Sequence, residues 1–280
     1  MNSRLIPLIA LVVVATDAAL LVTGTIGPAV ALALFLIVEI PLGALAVTGY
    51  VRRYRTHRAR TETRREALRA LAADDPYLRL AAAEARTVAS LARWVSRRPD
   101  VPAGAVPIGY ARGTLGMPIA LAAAATIELV AVHLLVPWPV VRLVLDLLGI
   151  YGLLMVLGWL AGRIVRPHLL DRGVLTLRSG PHVCARIPLD AVADVRRERR
   201  LSPTNAEITG DDDRGGALVL PGPDGTNLSL TLSQPVAASV PDFGWRAPTL
   251  REVSVVRLHV DDPEAAVVAI RRGSVAHVSY

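Results

Sequence analysis

The chain contains no lysine; all 31 of its basic residues are arginines. Glutamine occurs once, at Gln234, while alanine, valine, leucine and arginine dominate. This bias matches GC-rich coding better than a chemical need, so the net charge of +7 is a weak argument for nucleic acid, and no nucleic-acid partner is expected. A single cysteine, Cys184, excludes an intramolecular disulfide and any cysteine-based zinc cluster. It reads as a small apolar filler in a strand. Catalytic and metal motifs are missing too. Asp211-Asp212-Asp213 lacks the alternating ligand spacing of an EF-hand loop. His168 and Asp171 lie close in sequence but have no nucleophile beside them. The expectation is a protein that is not an enzyme and has neither cofactor nor metal.

Apolar sequence is in excess. Hydrophobic residues make up 52% of the chain, too many for an ordinary soluble domain of this size. Four runs carry the excess, at residues 5–23, 29–49, 114–135 and 139–161. Each matches the ~20 residues that cross a ~30 Å hydrocarbon core. The first differs from a signal peptide: only Arg4 precedes it, its run is too long, and a second span follows at once. The runs pair into two hairpins, within residues 1–50 and 107–165, turning at Gly24-Thr25-Ile26-Gly27-Pro28 and Pro137-Trp138-Pro139. Trp138 suits an interfacial belt.

Between the hairpins, residues 51–106 hold thirteen arginines against six acidic residues. By the positive-inside rule this segment is cytoplasmic. Arg4, Arg163 and Arg166 agree, giving a multi-pass plasma (inner) membrane protein with both termini in the cytoplasm. Arg52, Arg53, Arg55 and Arg58 abut the second span and are placed to contact anionic lipid, each worth ~1 kcal/mol near the surface. Helices are expected at 62–72 and 76–97. In the second, Leu78, Ala81, Ala85, Val88, Ala92 and Val95 form an apolar face expected to pack on the other soluble part or on a second copy.

From residue 166 to 280 the pattern changes to short alternating runs. Val174–Arg178 and His182–Ile187 flank Ser179-Gly180-Pro181 as a hairpin, and residues 188–196 open a third strand. Residues 201–216 read as a polar loop. Further strands are expected at 217–221, 227–232 and 252–260, with an irregular excursion over 234–250 anchored by Phe243 and Trp245. Asp262-Pro263 starts a helix over 264–272 whose Ala266, Val267 and Ile270 face the sheet. The run Gly173-Val174-Leu175-Thr176-Leu177-Arg178-Ser179-Gly180, followed by Ile187-Pro188-Leu189-Asp190-Ala191-Val192 and closed by Val260-Asp261-Asp262-Pro263-Glu264, resembles bacterial PH-like domains attached to membrane helices. In plan the chain resembles uncharacterised four-span membrane proteins of high-GC bacteria. The resemblance implies a twisted sheet or barrel with a capping helix and transfers no catalytic residue.

Each apolar run carries one acid: Asp17, Glu39, Glu128 and Asp146. A charge in hydrocarbon is expensive and needs a partner or a task. With the termini inside, all four lie in one band, roughly 9–15 Å from the outer edge at 1.5 Å per residue. Arg142, one turn before Asp146, is the expected partner of Asp146, and His133 lies near the outer edge of the third span. Asp17, Glu39, Glu128, His133, Arg142 and Asp146 therefore form the candidate intramembrane polar cluster. The leading reading is a non-enzymatic membrane protein presenting a PH-like interaction or regulatory module to the cytoplasm. Its expected partners are membrane lipids, a protein bound by the C-terminal domain, and a second copy of the chain. The alternative is a small transporter or channel that uses the acids to handle protons or a cation.

Overall fold

The structure is a computed structural model that describes residues 12–13, 16–17, 19–20, 23–201, 205–210, 216–241 and 249–278. Most of the first apolar run, the Asp211–Asp213 triplet, Phe243 and Trp245 lie outside the described residues. The chain divides into two compact units, Met1–Leu80 and Ala81–Tyr280.

In the first unit, α1 runs from Pro28 to Arg58 without interruption. A first-turn proline opens it, where the missing N–H costs nothing. It does not stop at the end of the apolar run, so Arg52, Arg53, Arg55 and Arg58 lie on the helix itself and not in a loop. After a short turn, α2 (Arg64–Asp74) begins with a capping box: Thr63 Oγ1 accepts from the Glu66 N–H, and Glu66 Oε2 accepts from the Thr63 N–H, both at 3.2 Å. Ala67 and Leu71 are the buried apolar residues of α2. Asp75 begins α3 (Pro76–Val95), its Oδ1 accepting from the N–H groups of Tyr77 and Leu78 at 2.9 and 3.3 Å.

The second unit holds the rest of α3, a helical hairpin and a nine-stranded sheet. The hairpin helices α4 (Gly116–Leu135) and α5 (Pro139–Val165) are both long and apolar enough to cross a membrane. Many of their apolar side chains face outward, away from the other described residues: Ile127, Leu134, Leu135 and Val140 are all at least two-thirds exposed. Gly149 lets the pair close up, since a Cβ there would stand 2.9 Å from Leu129 Cδ1.

The strands are β1 (Val106–Ile108), β2 (His168–Asp171), β3 (Val174–Ser179), β4 (His182–Pro188), β5 (Val192–Arg200), β6 (Glu207–Thr209), β7 (Gly216–Leu220), β8 (Thr226–Ala238) and β9 (Arg251–Leu258). They pair in the order β1-β2-β3-β4-β8-β9-β7-β6, with β5 branching onto β8. The path is open at β1 and β6, so the sheet is not a closed barrel. β8 is the spine. Its first half pairs with β5 and β9; after a register break between Thr231 and Val236, its second half pairs with β9 and, at Ala238, with β4. Pro235, which has no N–H to give, falls inside that break. Alternation buries one face: Leu175, Leu177, Ile187, Leu218, Leu228, Leu230, Val253, Val256 and Leu258 are almost fully covered. The closing helix α6 (Pro263–Val278) adds Ala266 and Ile270 to this core, and its Arg271 donates to the Val195 carbonyl at 2.9 Å.

β1 and β2 are the two strands that frame the helical hairpin. β1 precedes α4, β2 follows α5 after two residues, and they pair antiparallel from Val106↔Leu170 to Ile108↔His168. The hairpin is therefore an insertion between neighbouring strands. Three of these elements escape sequence reading: β1 in the Pro- and Gly-rich connector, β2 beside the last span, and β6 within the expected polar loop.

Candidate functional site

The four arginines at the end of α1 divide by local bonding. Arg53 is committed to Asp75, Nη1 to Oδ2 at 3.0 Å, and Asp75 is only 1% exposed. Arg58 donates to the Thr61 carbonyl at 2.7 Å and so closes the turn into α2. Arg52 and Arg55 are exposed and form no ion pair among the described residues. They are the two left for an external anion.

Of the candidate polar-cluster residues, Asp17 is half-buried, and its Oδ1 has no hydrogen-bond partner among the described residues. Glu39 lies on α1, but its side chain is outside the described ones. Glu128 on α4 is exposed and unpaired among the described residues. His133 and Asp146 do meet: the imidazole Nδ1 lies 2.9 Å from the carboxylate Oδ2 across the α4–α5 turn. Arg142 does not pair with Asp146. Helical side chains lean toward the N-terminus, so an arginine four residues before an aspartate reaches away from it; that order is also the weaker one for an i,i+4 pair. Asp146 Oδ1 stays buried without a partner among the described residues. Among the described residues, no three His, Cys, Asp or Glu side chains converge as metal ligands would.

The C-terminal half of α5 carries a second contact, with α3. Gly158 and Gly162 form a small-residue groove four residues apart. A Cβ at Gly158 would lie 2.5 Å from Thr87 Cγ2 and 2.8 Å from the Thr87 carbonyl oxygen. Ser90, fully buried, sits over Gly162, and Tyr151 donates to Glu84 Oε1 at 2.6 Å. α3 thus packs through its small polar residues. The apolar face expected to pack on the other soluble part or on a second copy is not the one used against α5: Leu78 is half-buried, and Ala81, Ala85, Val88, Ala92 and Val95 are exposed in the single chain. The glycines decide this outcome, because they let Thr87 and Ser90 bring the backbones closer than Val88 could.

Where α5 meets the sheet, a polar cavity of about 130 Å³ opens, lined by Tyr110, Arg163, His168, Arg178, Ser179 and His259 among others. Tyr110 comes from the β1–α4 connector, Arg163 from the last turn of α5, His168 from β2, Arg178 from β3, and His259 from the residue after β9. The His168 ring is buried and stacks on Tyr110, with centroids 4.5 Å apart and planes at 22°. His168 Nδ1 accepts from the Arg178 N–H at 3.0 Å, which places its own proton on Nε2. Burial, aided by the charge of Arg178 and by His259, lowers its pKa to about 3, so the ring is neutral at physiological pH. Tyr110 Oη accepts from the Gly180 N–H at 2.7 Å, and burial raises its pKa to about 12. Arg163 donates to the Thr114 carbonyl at 3.2 Å and lies over the Trp159 ring, 5.4 Å from its centroid. Arg178 is paired with Asp100 at 3.4 Å. Cys184, nearby in the core, is fully buried, and its thiol is pushed up to about 12 by burial, in keeping with a filler.

Sequence reading noticed His168 only as a neighbour of Asp171 and missed the cavity. Its residues are scattered from position 110 to position 259, and only the β1–β2–β3 pairing gathers them. No protein-family model, curated protein or solved structure matches the chain.

Proposed function

We propose that the chain is a non-enzymatic, four-span membrane protein that holds a PH-like sheet module against the cytoplasmic face of the plasma membrane for interaction or regulation. The observation that carries this reading is the insertion of the apolar α4–α5 hairpin between the paired strands β1 and β2. With β1 and β2 joined at its base, the sheet stays beside the point where the helices leave the bilayer, with no free linker between them. Residues 5–23 and residues 29–49 of α1 supply the other two spans. Arg52 and Arg55 serve as the contacts to anionic lipid headgroups, with Arg58 closing the α1–α2 turn and Arg53 tying α1 to Asp75 beside them. A cytoplasmic protein or a second copy docks on the sheet.

A second reading, a proton- or cation-handling transporter, draws on the His133–Asp146 pair and the unpartnered Asp146 Oδ1. One experiment separates the two. The full-length chain, with a photo-crosslinking residue at the exposed strand position Val183, is illuminated in its native membrane. The same chain, reconstituted in sealed vesicles, is assayed for flux driven by a proton gradient. The module reading predicts discrete adducts and no flux. Flux that disappears in Asp146→Asn would replace it with the transporter.

A further inference from the structure

The cavity at the base of α5 gathers several hydrogen-bond donors around neutral acceptors only, the side chains of Ser179, Asn205 and His259. Arg163 spends one N–H on the Thr114 carbonyl and faces no carboxylate among the described residues. His168 Nδ1 is occupied as an acceptor, so its Nε2–H is the free donor, and it makes no hydrogen bond among the described residues. Tyr110 Oη already accepts from Gly180, which leaves its own O–H to give. Arg178 adds a second guanidinium, shared with Asp100 at the outer side. Among the described residues, no aspartate or glutamate lines the cavity. Donors held in a covered site are costly to leave unmet, and two guanidinium groups set the sign of what meets them.

At about 130 Å³, the space holds several waters, enough for one tetrahedral oxyanion. We propose that this cavity binds a phosphoryl group, as inorganic phosphate or as the phosphomonoester headgroup of a lipid. Arg163 and the Nε2–H of His168 hold its oxygens, and the Tyr110 hydroxyl donates to a third. Arg163 stands in the last turn of a helix read as a span, one turn from Trp159, which puts the cavity within reach of the headgroup layer. The lipid source rests on the membrane reading above. The free-phosphate source does not.

The test uses the purified full-length chain in neutral detergent. Inorganic phosphate is titrated calorimetrically at fixed ionic strength against chloride. In a second arm the chain is titrated with vesicles containing phosphatidate, a monoester, or phosphatidylglycerol, a diester of like sign. Saturable phosphate binding identifies the free ion; preference for phosphatidate without it identifies the lipid. Either way, Arg163→Gln and Tyr110→Phe each weaken binding by about tenfold or more, the loss of one charge-assisted or buried hydrogen bond. Tyr110→Phe keeps the ring stacked on His168 and carries the test if Arg163→Gln does not fold. The proposal is overturned if wild type shows neither phosphate binding nor a phosphatidate preference, or if both variants bind as wild type does. Phosphate binding that persists in a chain shown not to orient as proposed would leave the site standing and remove only the membrane role.

Discussion

Replacing Gly158 with alanine tests the α3–α5 seam directly. An alanine Cβ would stand 2.5 Å from Thr87 Cγ2 and 2.8 Å from the Thr87 backbone oxygen, and only the methyl group can rotate away. Forcing extra volume into such a contact costs about 1–3 kcal/mol. The helix-propensity gain of Gly→Ala offsets up to ~1 kcal/mol of that. The net loss of up to about 2 kcal/mol corresponds to a fall in melting temperature of up to roughly 8 °C for a unit of this size. Gly152, on the same helix, has nothing within 4 Å of the equivalent Cβ. Gly152→Ala should therefore be neutral or stabilising by up to ~1 kcal/mol. Thr87→Ser removes the nearer of the two clashing atoms and should recover part of the Gly158→Ala loss in a double-mutant cycle. The assay is thermal unfolding in detergent, followed by circular dichroism. If Gly158→Ala is as stable as Gly152→Ala, α3 does not pack on α5 as described.

Two further outcomes follow from buried charge. Arg53→Ala strands the buried carboxylate of Asp75 and should destabilise by about 2–4 kcal/mol; Asp75→Asn, which keeps an acceptor for the α3 N–H groups, should cost less in the same melt, and equal costs would refute the pairing. His168 has a folded pKa of about 3 against the ordinary ~6.5, so the unfolded chain takes up a proton that the folded chain refuses. Its contribution is complete above pH 6.5 and is lost as the pH falls toward 3, at about 1.4 kcal/mol per pH unit. Stability measured from pH 7 to 4.5 should fall more steeply in wild type than in His168→Asn; parallel curves would contradict the burial argument.

Legibility from sequence tracked how local each feature is. The β3–β4 hairpin could be read because Leu175 and Leu177 alternate toward the core and Gly180 takes the positive φ its turn requires, +55°. The α6 start could be read from Asp262, whose carboxylate accepts from the Ala265 N–H at 2.9 Å. The three-residue strands β1 and β6 were not legible. Alternation needs more length to register, and Pro107 inside β1 reads as a breaker. β1 is a strand only because β2, some sixty residues away across the helical hairpin, offers it an edge. The face of α3 that packs on α5 was not legible for a related reason. Hydrophobicity marked Val88 and Val95, but Gly158 and Gly162 on another helix made Thr87 and Ser90 the closer fit. The partner of Asp146 was misread because charge and spacing favoured Arg142, while side-chain direction and the α4–α5 turn brought in His133.

The most direct test of the central claim is cysteine labelling of the intact chain. Cys184, the one native cysteine, is 1% exposed, so it gives little background in the folded protein. Single replacements Thr25→Cys, Trp138→Cys, Arg60→Cys and Leu201→Cys are made at exposed positions and treated with a membrane-impermeant maleimide in intact cells. The account predicts that positions 25 and 138 label from outside, while 60 and 201 label only after the membrane is opened. Labelling of position 201 in sealed cells would place the sheet on the outer face and contradict the account.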